Sequence, residues 1–151
     1  MKKTSVSRLF GLGLTPGKLR GLQRICNDNG TLTMVATDQN SSMIKMLRKH
    51  LHSIGEKREP TYDEIVEAKN TLTEVLSPIS SAILVDGYYG VWNAVAGLRV
   101  PKDTGLLVRV ERSGGPKNKV GAPMGSFEPG WSVEKIKRSG CDAVKLLAQF
   151  E

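Results

Sequence analysis

Four short apolar runs along this chain each end in a charged side chain. The runs cover residues 33–38, 82–86, 106–111 and 142–145, and their final residues are Asp38, Asp86, Glu111 and Lys145. A single strand followed by a polar residue is how most loops begin, but four in series form a pattern. Strands of a parallel sheet, buried on both faces, need such continuous apolar runs. The sequence therefore predicts parallel strands with charges at their C-terminal ends.

Segments with helical spacing of apolar residues separate these runs. Helices are predicted over 16–29, 41–51, 61–76, 91–96 and 133–138, and strands over 33–38, 81–85, 105–110 and 142–150. Pro16 suits the first turn of a helix, and Gly30 is expected to end that helix. Thr61 and Glu64 form a capping-box pattern, and Ser132 is expected to open the helix over 133–138. Alternating β and α units predict an α/β fold, whose site residues lie at the C-terminal ends of the strands.

The size of the chain is sufficient for one hydrophobic core. With 151 residues and 39% hydrophobic content, we expect a basic lead-in over residues 1–15 and a single α/β domain over residues 16–151. No apolar segment approaches the roughly 20 residues of a membrane span. We therefore expect a cytoplasmic protein without membrane contact.

Charge and metal-binding residues exclude two other classes of function. The net charge of +7 is spread along the chain, and only 5% of residues are aromatic. We therefore expect no nucleic-acid binding. A basic nucleic-acid-binding module is kept as an alternative hypothesis. His50 and His52 do not face one another on a helix, and with Cys26 and Cys141 they give no metal-ligand spacing. We expect two reduced thiols, no metal and no cofactor.

The remaining candidate chemistry consists of carboxylates and a lysine. Residues Ala143 and Lys145 are two positions apart and therefore lie on the same face of the last predicted strand. A lysine in a largely apolar barrel tends to lose its proton, because burial disfavours the ammonium. The neutral amine can attack a carbonyl and form a Schiff base.

Four sequence blocks carry a resemblance to a known family. The blocks at 30–39, 80–90, 104–114 and 131–147 contain Asp38-Gln39, Asp86-Gly-Tyr-Tyr-Gly90, Val110-Glu111 and Asp142-Ala-Val-Lys145. Their order and spacing resemble the tagatose-1,6-bisphosphate aldolase family, and the sulfofructosephosphate aldolases are similar. The resemblance covers about residues 16–151.

This resemblance implies a metal-independent class I aldolase on a TIM barrel. Such an enzyme cleaves a ketohexose bisphosphate into two triose phosphates through a lysine Schiff base. Matching by position implies that Lys145 and Asp38 are catalytic residues and that Gln39 and Asp86 bind substrate. The family often has arginine after the Asp-Gln pair, and this chain has Asn40 there.

The resemblance also implies an incomplete barrel. The family's Schiff-base lysine and its acid/base glutamate lie on later strands, beyond Glu151, and the chain supplies about four of eight strands. We therefore expect an N-terminal half that forms a homo-oligomer or is complemented by a C-terminal half. The alternative is a non-catalytic half-barrel that binds sugar phosphates or mediates oligomerisation.

Overall fold

The predicted strands form one parallel sheet. The structure, a computed structural model, describes residues 8, 11–112, 115–121 and 124–147. The sheet runs in the order β1 to β4, and its strands are β1 Met34–Ala36, β2 Ala82–Asp86, β3 Gly105–Arg109 and β4 Ala143–Lys145. The prediction of a parallel α/β fold is confirmed. Within the described residues, β1 and β4 are the edges of the sheet.

One helix precedes β1, and the other helices connect successive strands. They are α1 Pro16–Ile25, α2 Ser41–Ser53, α3 Tyr62–Leu76, α4 Val91–Ala96 and α5 Val133–Arg138, and a 3₁₀ turn, Ser77–Ile79, follows α3. None of the helices in the described part of the chain has the length and apolar content needed to cross a bilayer.

Side-chain caps start two of the helices as predicted. The Thr61 hydroxyl accepts a hydrogen bond from the Glu64 N–H, and the Glu64 carboxylate accepts one from the Thr61 N–H at 2.7 Å. The Ser132 hydroxyl accepts from the Lys135 N–H at 3.1 Å. Each cap satisfies an N–H group that has no partner within the helix.

The predicted end of the first helix was wrong. Helix α1 ends at Ile25, and Cys26 already has extended backbone, with φ −98° and ψ 149°. Gly30 instead belongs to a separate turn, where its φ is +82° and its N–H donates to the Asn27 carbonyl. The apolar spacing stops at Cys26, and the polar residues that follow form the turn before β1.

The outer strands are also shorter than predicted. Strand β4 ends at Lys145 rather than continuing to residue 150; residues 146 and 147 lie outside it, and residues 148–150 lie outside the described residues. Strand β1 ends at Ala36, although the Thr37 N–H still donates to the Leu84 carbonyl at 2.8 Å. An edge strand has a pairing partner on only one side, which limits how far it extends.

Two apolar layers cover opposite faces of the sheet. On one face, Val85 and Val108 pack with Val91 of α4 and Ile136 of α5. On the other face, Ile25 of α1 packs with Ala82 and Ala143, which begin β2 and β4, and with Leu107 in the middle of β3. Helix α1 therefore covers the second face toward the N-terminal ends of the strands. Toward the C-terminal ends of the strands, the same face carries the charged residues described next.

Candidate functional site

The C-terminal ends of the strands bring charged side chains into one row. Asp86 is the register partner of Arg109, which is in turn the partner of Lys145. Residues in register on parallel strands project to the same side of the sheet. Val144 packs in the layer of α4 and α5, whereas Ala143 packs in the layer of α1. By alternation, Lys145 lies on the α1 face, beyond the region that α1 covers.

Lys145 is paired with two carboxylates. Its Nζ lies 2.5 Å from Oε1 of Glu111 and 3.5 Å from Oδ2 of Asp38. The Lys145 side chain is 33% exposed, whereas those of Glu111 and Asp38 are 8% and 6% exposed. The structure therefore places an accessible ammonium above two buried carboxylates, an arrangement that can bind a phosphate through charge-assisted hydrogen bonds.

Arg109 contacts both the backbone and the side chain of Asp38. Its Nη1 donates to the Asp38 carbonyl at 2.9 Å and lies 3.7 Å from Oδ2 of the same residue. Both side chains are buried. The guanidinium thus fixes the backbone and carboxylate of Asp38 together, and it links the end of β3 to the segment after β1.

A second charged pair, which is buried, lies at the C-terminal end of β2. Lys69 extends from α3, and its Nζ lies 2.5 Å from Oδ2 of Asp86. The second Asp86 oxygen accepts N–H hydrogen bonds from Tyr88 at 2.8 Å and Tyr89 at 2.7 Å. Burial lowers the pKa of Lys69 below its ordinary 10.5, and the Asp86 carboxylate opposes that effect.

A cluster of three tyrosine side chains adjoins this second pair. The Tyr62, Tyr88 and Tyr89 rings pack together, with centroid distances between 4.7 and 5.8 Å. The Tyr89 ring centroid is 5.9 Å from Lys69 Nζ. Burial raises the pKa of the Tyr89 hydroxyl. The Tyr89 ring of this cluster therefore lies beside the buried Lys69–Asp86 pair, whereas Tyr62 and Tyr88 are exposed.

The four residues named from the sequence differ in their accessibility. Asp38 and Lys145 contact one another, and Gln39 is exposed at the same edge. Asp86 also reaches this edge, but it is 1% exposed and both of its oxygens are engaged by protein groups. The roles of these four residues in substrate binding and catalysis stay predictions.

The sequence pattern placed Glu111 at the end of an apolar run without giving it a role, and it did not single out Arg109 or Lys69. Arg109 and Glu111 lie in the third apolar run, and their spacing of two places both on the face of Lys145. Lys69 lies four residues from each of Ile65 and Thr73, and all three are buried on α3. This helical spacing was a detectable signal that Lys69 faces inward.

The residues considered for metal binding do not form a cluster. His50 and His52 are exposed on α2, and Cys26 and Cys141 are free thiols. Burial raises the pKa of the Cys141 thiol to about 11. Among the described residues, no group of three or more His, Cys, Asp or Glu side chains is arranged to hold a metal ion.

A cavity of about 390 Å³ lies elsewhere, between α2 and α3. It shares no residue with the charged row, and its lining includes Leu47, Leu51, Arg58, Glu64 and Ala68. We place the candidate site at the charged row because register partners on adjacent strands converge there.

The fold and this row define a parallel α/β protein with a charged site at the C-terminal edge of its sheet. The chain is 29% identical over 138 residues to "Tagatose 1,6-diphosphate aldolase 2" of Streptococcus pyogenes serotype M1. It is 30% identical over 134 residues to "Tagatose 1,6-diphosphate aldolase" of Staphylococcus aureus (strain Newman). The predicted resemblance to these aldolases is confirmed. No family model matches the chain.

The similarity covers unequal shares of the chains. It includes 91% of this chain and 39% of the S. pyogenes relative, and 89% of this chain and 38% of the S. aureus relative. The chain therefore spans about two fifths of the length of the curated relatives it matches.

Proposed function

We propose that this chain is part of a class I aldolase of the cytoplasm. Its substrate is a ketohexose bisphosphate such as tagatose 1,6-bisphosphate, cleaved to dihydroxyacetone phosphate and glyceraldehyde 3-phosphate. The observation that carries the proposal is the contact between Lys145 and Asp38 at the C-terminal edge of a parallel sheet. Similarity to tagatose 1,6-diphosphate aldolases supports it.

In this proposal residues 16–151 form about half of a (β/α)8 barrel. The four parallel strands correspond to four of eight, and the site lies at the C-terminal face where such barrels bind substrate. A second copy or a complementing C-terminal half completes the barrel. The edges at β1 and β4 have unpaired backbone groups within the described residues, which favours such association.

We assign a separate role to each residue of the edge. Lys145 is the active-site cation that holds the substrate phosphate or carbonyl oxygen, because its ammonium is accessible and paired with Glu111 and Asp38. Asp38 orients that ammonium, and the exposed amide of Gln39 binds a hydroxyl. Asp86 fixes the end of β2. The Schiff-base amine belongs to the later strands that the resemblance implies.

The first test is binding of tagatose 1,6-bisphosphate, with unphosphorylated tagatose as the matched ligand. We expect the bisphosphate to bind the chain, tagatose to bind more weakly, and a Lys145→Met variant to lose the difference. Folded protein that treats both ligands alike would contradict the proposal.

A turnover assay and a trapping assay test whether this chain carries the Schiff-base amine. A retro-aldol assay coupled to triose-phosphate detection should give little or no turnover with this chain. Borohydride reduction with dihydroxyacetone phosphate should leave the intact mass unchanged. Stoichiometric trapping on Lys145, with turnover of order 1 per second, would show that this half is an enzyme in its own right.

The second candidate function is a non-catalytic half-barrel that binds sugar phosphates or mediates oligomerisation. Exposed apolar side chains at the two edge strands favour it, namely Met34 in β1 and Leu146 and Leu147 after β4. Sugar-phosphate binding that persists without turnover after a complementing half is supplied would favour this candidate. A salt-dependent DNA shift tests the nucleic-acid hypothesis, and we expect none.

A further inference from the structure

Lys69 uses all of its hydrogen-bonding capacity on protein groups. An ammonium has three donors, and here they reach the Thr37 carbonyl at 2.8 Å, Asn40 Oδ1 at 2.7 Å and Asp86 Oδ2 at 2.5 Å. The Lys69 residue is 2% exposed. A buried charge is costly unless it is paired and hydrogen-bonded, and Lys69 meets both conditions.

Two of these contacts bracket the Asp38-Gln39 pair. Thr37 directly precedes the pair, and Asn40 directly follows it. The third acceptor, Asp86, ends the neighbouring strand β2. One ammonium therefore fixes both ends of a two-residue segment and ties that segment to the sheet.

The side chain of Asn40 contacts Lys69 instead of capping helix α2. Asn40 occupies the N-cap position of α2, where an asparagine oxygen ordinarily accepts an N–H hydrogen bond from the first turn. The Asn40 side chain makes no such bond, and its Oδ1 accepts from Lys69 instead. The local geometry thus favours the Lys69 contact over a helix cap.

We propose that Lys69 is a positioning residue that fixes Asp38 and Gln39 for binding of the sugar phosphate. This inference rests on the proposed function, since it concerns the same site. Lys69 does not contact the ligand. It holds the Asp38-Gln39 segment in its bound arrangement before the ligand arrives, which lowers the entropy lost on binding.

The test removes the Lys69 charge together with the carboxylate that is paired with it, so that no buried charge is left alone. Replacing a buried ion pair by apolar residues of similar volume often preserves stability, so the variant is Lys69→Met/Asp86→Leu. Arg24→Met is the matched control, because Arg24 pairs with Asp142 on the α1 side and also ties a helix to the sheet. The readouts are backbone ¹⁵N heteronuclear NOE values and the dissociation constant for dihydroxyacetone phosphate.

We expect a local change in the double variant. NOE values should fall at residues 38–40 and stay unchanged in β3, and binding should weaken by about 10-fold, the equivalent of ordering one or two side chains on binding. The Arg24→Met variant should leave both readouts unchanged. A folded double variant with native NOE values at residues 38–40 would overturn the inference.

Two further outcomes are separated by the design. If the unmodified chain does not bind dihydroxyacetone phosphate, the proposed function fails and the NOE values alone decide whether Lys69 positions the segment. If the double variant does not fold, Asn40→Ala replaces it, since this variant removes one acceptor only. It should lower the NOE at Gln39 and weaken binding by at least about two-fold; unchanged values would overturn the inference.

Discussion

Two lysine–carboxylate pairs at one sheet edge have the same chemistry and opposite accessibility. The side chains of Lys69 and Asp86 are each 2% exposed, and Tyr89 packs nearby. Lys145 is 33% exposed above Glu111, which is 8% exposed. A buried pair fixes neighbouring segments, whereas an accessible ammonium can exchange part of its pairing for a ligand. Burial therefore divides the row into a supporting part and a binding part.

The largest expected effect is on stability, from Lys69→Met. This substitution leaves the Asp86 carboxylate buried without its cation, which should lower the free energy of unfolding by about 3 kcal/mol. The value is at the low end of the range because two N–H groups still donate to Asp86. Urea unfolding measures it. Lys69→Met/Asp86→Leu should be more stable than Lys69→Met by about 1 kcal/mol, because it leaves no buried charge unpaired although the Tyr88 and Tyr89 N–H groups lose their acceptor; an equally unstable double variant would contradict this account.

Lys145→Met should weaken ligand binding and should lower stability by a similar, moderate amount. Loss of charge-assisted hydrogen bonds should weaken binding of dihydroxyacetone phosphate by about 10-fold or more, with a stability loss of about 1–2 kcal/mol from the unpaired Glu111. Lys137→Met is the control, because Lys137 is exposed on α5 and its loss changes the net charge equally. Titration calorimetry compares the two. Equal weakening in both variants would mean that only net charge matters.

Glu111→Gln should strengthen phosphate binding. The row contains three cations and three carboxylates, namely Lys69, Arg109 and Lys145 with Asp38, Asp86 and Glu111. Removing one negative charge beside Lys145 increases its attraction for an anion by roughly 0.5–1 kcal/mol at an accessible site. The dissociation constant for dihydroxyacetone phosphate should fall by about two- to five-fold. Weaker binding would show that Glu111 chiefly positions Lys145.

The smallest effect concerns alkaline pH. The pKa of native Lys69 lies below 10.5, so between these two values the unfolded chain binds more protons than the native chain. Stability contributed by this residue therefore rises with pH across that interval. Compared with Lys69→Met/Asp86→Leu, the unmodified chain should gain in relative stability as pH increases toward 10.5. Urea unfolding from pH 7 to 10 measures this difference, and a constant or falling difference would contradict the sign.

The order of helices and strands could be predicted from the sequence, because each of these elements has its own local pattern. Apolar runs predicted the strands, and the cap at Thr61 and the serine at Ser132 marked helix starts that the structure contains. The end of α1 was predicted incorrectly because Gly30 was taken as a helix terminator. Its left-handed backbone closes a turn that begins at Asn27, and four non-helical residues separate Gly30 from the end of α1.

The composition of the site could be predicted only in part. Asp38 and Lys145 were found because both end apolar runs, and the structure places them 3.5 Å apart. The Lys69–Asp86 contact joins a helix to a strand 17 residues away, and no local pattern specifies which carboxylate a buried lysine reaches. Accessibility of Lys145 relative to Asp86 likewise depends on packing by residues from other elements.

A titration of ¹⁵N-labelled protein with dihydroxyacetone phosphate tests the central claim most directly, namely that the charged row at the C-terminal sheet edge binds a sugar phosphate. We predict the largest amide shifts at Gln39 and Lys145, and small shifts at Leu51 and Ala68, which line the cavity between α2 and α3. In Lys145→Met the shifts at the sheet edge should be lost at the same ligand concentrations. Shifts centred on Leu51 and Ala68, with none at Gln39 and Lys145, would contradict the account.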